Sequence, residues 1–215
     1  MKYQEFIEGT TVAVWKPVGM TSHDVIQSIR RISGVERVGH SGTLDPLASG
    51  VLVIGIGREA TKKLWINDSV EKEYLALIRL GIESSTDDSD GEKKNIKNIN
   101  KPTLETVFRT VGLYEGVIKQ TPPVFSAIKV SGKRAYARAR RGEQVVLKSR
   151  EVLIKKIEIL DYKWPYICLK VVTGRGVYIR SLARDIGNAL GVGAYLSKLE
   201  RVRVGNFTRE TCYNI

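Results

Sequence analysis

Seven short strand-like runs are scattered among helical stretches without regular alternation, and this irregular order is the strongest constraint on the fold. The runs are Thr11–Trp15, Val51–Ile54, Tyr74–Leu80, Val124–Val130, Val152–Ile159, Tyr166–Thr173 and Leu199–Val204. A strict strand–helix repeat would build a parallel, doubly wound sheet, whereas an irregular mixture predicts an α+β architecture. Helical spacing is clear at 22–33, where Val25, Ile26, Ile29 and Ile32 share a face. Thr21 and Asp24 form a capping-box pattern before that face, and Gly34 stands just past its end. Thr103–Val111, a short basic stretch Arg134–Arg141 and Tyr178–Leu190 are the other expected helices. Ser84–Asn100 is polar and reads as a loop. With neither an internal repeat nor a flexible linker, residues 1–215 are expected to form a single domain.

Composition narrows the function. Hydrophobic residues make up 42% of the 215, enough for a core, yet no apolar run approaches the roughly 18 residues of a membrane span. The opening residues MKYQEFIEGTT lack the apolar core of a secretory signal. Cys168 and Cys212 make no disulfide framework, and no Cys/His cluster has zinc-ligand spacing, so a reducing cytoplasm and no metal are expected. Lys and Arg number 35 against 23 acids, a formal charge of +12, which favours a polyanionic partner. Between Lys119 and Arg150 there are nine basic residues and one acid, Glu143, a block suited to phosphate contact.

Two motifs point to nucleotides only superficially. Gly55-Ile56-Gly57-Arg58-Glu59-Ala60 fits the glycine pattern of dinucleotide-binding oxidoreductases, with Glu83 downstream, but no run of βαβ units follows. Thr173-Gly174-Arg175-Gly176 lacks the remainder of a phosphate loop. No nucleophile elbow accompanies the two histidines. His23 falls in the first turn of a helix; His40, between Gly39 and Ser41, suits a catalytic base or a flat ring that stacks on a nucleobase. The segment Arg37–Gly50, RVGHSGTLDPLASG, then holds a lone acid, Asp45, among three glycines and a proline. Asp before Pro is also an ordinary turn signal.

What sets Asp45 apart is an ordered series: Lys16-Pro-x-Gly19-x-x-Ser22, Gly39-His-x-Gly-x-Leu-Asp45-Pro-x-Ala-x-Gly50, Gln120-x-Pro-Pro-x-x-Ser126-Ala-x-Lys129-x-x-Gly132-x-x-x-Tyr136, and Gly176-x-Tyr178-Ile-Arg180-Ser-Leu. In this order and spacing, from Val12 to Asn206, the chain resembles the pseudouridine synthases of the TruB family. The resemblance implies an α+β catalytic domain with a long, mostly antiparallel mixed sheet flanked by helices and crossed by an RNA-binding cleft. It implies isomerisation of a T-loop uridine in tRNA without metal or organic cofactor; nothing in the sequence suggests an assembly interface, so a monomer is expected.

The resemblance also assigns residues. Asp45 is the catalytic carboxylate, either attacking covalently or removing a ribose proton. Arg180 pairs with it, and Tyr74 stacks against the target base. His40 lies near the flipped-out nucleotide and supports RNA distortion. Lys16 and Pro17 buttress the pocket floor, and Leu199 lines it. Gly42, Leu44 and Tyr178 belong to the substrate side. The basic segment 119–150, with Lys129, Tyr136, Arg138, Arg140 and Arg141, corresponds to a mobile insertion that folds onto the RNA stem-loop. Family members often continue into a PUA-type RNA-binding module, and this chain reads as a short form without it. A non-catalytic tRNA-binding or tRNA-folding module of the same shape is the alternative expectation.

Overall fold

The structure, a computed structural model, describes residues 5–66, 70–126, 128–130, 132–139 and 141–215. In chain order the elements are β1 (Thr11–Lys16), α1 (Ser22–Ser33), β2 (Val38–Ser41), β3 (Ala48–Ile56), α2 (Arg58–Ile66), β4 (Lys72–Leu80) and β5 (Ile82–Ser84). There follow β6 (Lys93–Asn95), α3 (Leu104–Gly112), β7 (Gly116–Gln120), β8 (Lys129–Val130), β9 (Lys133–Arg134), α4 (Ala135–Ala139) and β10 (Arg150–Lys163). The last are β11 (Tyr166–Thr173), α5 (Ile179–Ala189), β12 (Ala194–Val204), β13 (Phe207–Thr208) and β14 (Cys212–Asn214). The fold class is α+β. Two compact units divide the chain: Met1–Leu75 with Leu199–Ile215, and Ala76–Lys198. Both divisions fall inside strands, β4 and β12.

In the first unit β1 runs antiparallel to β3 and parallel to β14, and β3 is parallel to β12, so the sheet is mixed. Helix α1 forms where its spacing predicts. Thr21 accepts from the Asp24 amide, Asp24 accepts back from Thr21, and Gly34 closes the other end at φ 69°. Its Val25, Ile26 and Ile29 pack with Val12, Val14, Leu52, Ile54 and Ile56 of β1 and β3. Each such side chain stabilises the fold by about 1.5–3 kcal/mol when buried. The opposite sheet face buries Ala13, Val51, Val53 and Val204.

Four elements of this unit, β2, α2, β13 and β14, lie where the sequence suggested none. Val38–Ser41, expected to be irregular, is strand β2, paired antiparallel to β3 from Val38↔Ile56 to Ser41↔Val53. Helix α2 follows Gly57 directly. A Cβ at Gly55 would stand 2.8 Å from the Ala60 carbonyl carbon and 2.9 Å from the Thr61 nitrogen. The dinucleotide-like glycine spacing therefore serves the close approach of a strand to its following helix.

In the second unit β10 is flanked by β11 and β7, both antiparallel, with Arg150 opposite Gln120 and Ile154 opposite Gly116. Ile78, Leu80, Val107, Ile154, Ile167, Leu169, Leu182 and Ile186 are fully buried here. Strand β10 is longer than expected and buries only Val152 and Ile154. The polar stretch after Ser84, expected to be a loop, supplies β6, which pairs with β5 in a small hairpin. The strand expected at Val124–Val130 shrinks to Lys129–Val130, paired with β9. The amides around it bond locally instead, Ser126 to the Val124 carbonyl and Tyr136 to the Ser126 carbonyl. Among the described residues no helix is long and apolar enough to cross a membrane.

Candidate active site

Residues 42–47 join β2 to β3, and Asp45 sits in this turn. Its two neighbours are pinned. The Ser22 hydroxyl, at the start of α1, accepts from the Leu44 amide at 2.9 Å and donates to the Leu44 carbonyl at 2.9 Å. The Pro46 carbonyl accepts from the Gly19 amide at 2.8 Å, and the Asp45 carbonyl accepts from the Ala48 amide at 3.0 Å. Leu44 is buried, Pro46 exposed and Asp45 half-buried. The carboxylate is thus fixed at its base and reachable from outside.

Buried positive charge surrounds the turn. Lys16 is wholly buried, and its ammonium donates to the Pro17 and Met20 carbonyls at 2.9 and 2.7 Å. Burial pushes its pKa down to about 8, against the attraction of Asp45. Arg201, also buried, donates from Nε to the Val51 carbonyl at 2.8 Å and from Nη2 to the Gly42 carbonyl at 3.0 Å. Gly42 has φ 75°, and a Cβ on it would meet Lys72 Cε at 3.1 Å and Arg201 Nη1 at 3.3 Å. At that φ, and with both cations so close, a side chain at this position would be strained. Such preorganised charge beside a carboxylate suits a ligand that is anionic or becomes so during reaction.

The remaining residues of this unit take up positions around the same turn. His40 is on β2, opposite Ile54. Its buried Nδ1 has no hydrogen-bond partner among the described residues. Burial first, then Arg201 and His23, holds its pKa down to about 4, so the ring is neutral at neutral pH. Leu199, on β12, is buried opposite Ala48 at the end of the turn. Tyr74 is buried on β4, on the same face as Lys72 two residues earlier. Asp45, Lys16, Pro17, Gly42, Leu44, His40 and Leu199 thus belong to one neighbourhood.

Arg180 belongs to the second unit, in the first turn of α5. Its Nη1 donates to Asp88 Oδ2 at 3.2 Å and to the Thr86 carbonyl at 3.3 Å, and its Nη2 donates to the Phe125 carbonyl at 2.9 Å. Both side chains of the Arg180–Asp88 pair are about 5% exposed. Removing one partner of such a buried pair costs about 3–5 kcal/mol. Asp88 also accepts from Thr86 and from the Asp90 amide, and Lys93 donates to the Asp88, Ser89 and Gly91 carbonyls. Tyr178 precedes α5 as its N-cap residue, and the Arg150 guanidinium lies over its ring at 5.3 Å.

In the basic segment, Lys129 lies in β8, and Tyr136 and Arg138 in α4. Glu143, its single acid, accepts from Arg138 Nε at 2.6 Å and from Arg141 Nε at 3.1 Å. Arg140 lies outside the described residues. Asp88, Lys72 and Arg201 escape a reading of the sequence. Lys72 and Arg201 carry a legible signal, because each continues the inward-facing alternation of its strand, with Tyr74 and Leu199 respectively. Nothing in the sequence separates Asp88 from its neighbours Asp87 and Asp90.

The family model described as TruB family pseudouridylate synthase, N-terminal domain, matches residues 30–179. The model described as the tRNA pseudouridylate synthase B C-terminal domain matches residues 180–215. The chain is 46% identical over 208 residues to tRNA pseudouridine synthase B of Mycobacterium avium (strain 104), covering 95% of this chain and 67% of that one. It is 42% identical over 215 residues to the protein of that name from Parabacteroides distasonis, covering 97% and 91%. Among solved structures, one chain in the crystal structure of a Cbf5-Nop10-Gar1 complex matches with a TM-score of 0.73 and 32% identity over 95% of this chain. This chain spans 52% of that one.

Proposed function

Because this chain belongs to the TruB family of pseudouridylate synthases, we propose that it isomerises a T-loop uridine of tRNA to pseudouridine. The N1–C1′ bond breaks, the uracil turns, and C5 joins C1′; the C5 hydrogen leaves as a proton and N1 gains one. The single observation that carries this reading is the Asp45 turn, a half-exposed carboxylate with both neighbours pinned and buried cations beside it. Acting as nucleophile or as base, the carboxylate must stand at a fixed point relative to the sugar. Negative charge grows on the departing uracil, and the positive potential around the turn favours that charge.

In this reading Arg180 is the counter-charge of Asp45, Tyr74 stacks on the uracil, and Leu199 lines the pocket. His40, neutral at working pH, packs against the distorted nucleotide. The flipped base costs a few kcal/mol to unstack, offset by phosphate contacts from Lys129, Arg138, Arg140 and Arg141 and by Tyr136 and Tyr178. Bonds are exchanged within one nucleotide, so neither metal nor organic cofactor is required. We read the chain as one catalytic domain, since both divisions between its units interrupt strands. It acts on tRNA as a monomer in the cytoplasm.

Unmodified tRNA tritiated at uridine C5 tests the reading, because isomerisation releases that label to water. The wild-type chain releases it, and Asp45→Asn binds tRNA with near-normal affinity and releases none. Binding without release by the wild type would leave an RNA-binding module. Substantial turnover by Asp45→Asn would remove Asp45 from the chemistry.

A further inference from the structure

Gln120 is the last residue of β7 and only 1% exposed, and both ends of its amide grip backbone. Its Oε1 accepts from the Tyr178 amide at 2.8 Å, and its Nε2 donates to the Tyr178 carbonyl at 3.1 Å. Tyr178 is the N-cap residue of α5 and makes no side-chain cap of its own. Two residues on, Arg180 projects from that helix. The residues after Gln120 engage the same turn: the Thr121 carbonyl accepts from Ser181 Oγ and Arg184 Nη2, both at 2.8 Å, and the Phe125 carbonyl accepts from Arg180 at 2.9 Å. Directly opposite Gln120, Arg150 donates to the Gly176 carbonyl at 2.7 Å. The two ends of the basic segment therefore hold the loop that launches α5.

We propose that Gln120 is a positioning residue, whose two-point amide clamp on Tyr178 sets the first turn of α5 and so aims the Arg180 guanidinium. The inference rests on the pseudouridine synthase reading. A two-point grip on one residue's backbone fixes both position and rotation of the turn, which a single bond cannot do. Arg180 is held to Asp88 on one side and Phe125 on the other, so tilting the turn drags the guanidinium against both. Gln120 itself is buried, so it acts on substrate only through the turn it holds.

The test uses Gln120→Met, which keeps the side chain's length and removes both bonds, and Gln120→Glu, which keeps the acceptor for the Tyr178 amide. Single-turnover tritium release by Gln120→Met falls about tenfold to a hundredfold, as for a misplacement of about 1 Å. Its tRNA dissociation constant changes far less than its rate, because Tyr178 is one of several RNA contacts. Gln120→Glu falls in between. In an Arg180→Lys background, Gln120→Met causes no further loss, because the clamp works through Arg180. A wild-type rate for Gln120→Met, losses that multiply with those of Arg180→Lys, or unfolding of both Gln120 variants would each overturn the proposal. Absence of release from the wild-type protein would overturn the activity and this inference together.

Discussion

Replacing Ser22 by alanine isolates what holds Asp45 in place. The hydroxyl makes two hydrogen bonds, to the amide and the carbonyl of Leu44, each 2.9 Å long, and both residues are about 3% exposed. Without it, two buried backbone groups lose their partners, at a cost of about 1–3 kcal/mol each. Local relaxation recovers part of this, giving a net loss of about 2–4 kcal/mol. For a chain of this size that lowers the melting temperature by about 5–15 °C. The kinetic effect is separable. Leu44 is the residue before the carboxylate, so releasing it displaces Asp45, and a shift of about 1 Å costs up to about a hundredfold in rate. Calorimetry and single-turnover tritium release on the same preparations read both quantities. Thr21→Ala is the control: it removes the cap of the same helix, costing about 1 kcal/mol, and leaves the turn and the rate intact. If Ser22→Ala melts like wild type, or loses stability while isomerising at the wild-type rate, the pinned-turn reasoning is wrong.

Three further outcomes are expected. Alanine at Arg138, Arg140 and Arg141 together weakens tRNA binding and flattens its dependence on salt, by about one unit of slope for each phosphate no longer neutralised. Glu143→Gln, which releases Arg138 and Arg141 from their shared acid, tightens binding; filter binding from low to high salt checks both, and a triple variant with the wild-type slope removes the electrostatic role. His40 predicts acid sensitivity of the fold. Its pKa lies near 4 in the native chain and near 6.5 in the unfolded one, so as pH falls through that window the unfolded state takes up a proton the native state refuses. The stability it contributes is complete above pH 6.5 and is lost towards pH 4, on the order of 3 kcal/mol in all. Urea unfolding at stepped pH should show a shallower decline for His40→Asn, and an identical decline would contradict the burial of the native ring.

The helix at 22–33 was legible because capping residues and apolar spacing agree, and those at 103–111 and 178–190 from apolar spacing; α1 forms with its capping box and glycine end in place. Strand β2 was not legible, since four residues carrying Gly39 have too little alternation to register; its formation depends on the ladder that β3 offers, from Ile56 to Val53. Helix α2 was masked by its own glycines, read as nucleotide punctuation when Gly55 in fact makes room for the Ala60 backbone. The strand foreseen at Val124–Val130 failed for a different reason. Pro122 and Pro123 precede it, and its amides find nearer partners within the segment. Local propensity cannot weigh such competition, because both outcomes satisfy the same residues.

The site divides along a similar line. Asp45 was legible only through the ordered series of motifs around it, because an acid before a proline is by itself an ordinary turn signal, and its turn is a local construction. Lys16 was marked by its motif, whereas Lys72 and Arg201 were inconspicuous as charges because a charged residue in a strand ordinarily faces water. Their burial is a tertiary fact, and the partners of two of them explain its use. The hydrogen bonds of Lys16 go to the Pro17 and Met20 carbonyls, and those of Arg201 to the Val51 and Gly42 carbonyls. Neutral carbonyls accept these hydrogen bonds, Asp45 itself attracts the Lys16 ammonium, and burial in a low-dielectric setting strengthens the potential felt at the turn. The glycine at position 42 follows from this arrangement, because its carbonyl is one of those partners and its missing side chain is what admits Lys72 and Arg201 so near.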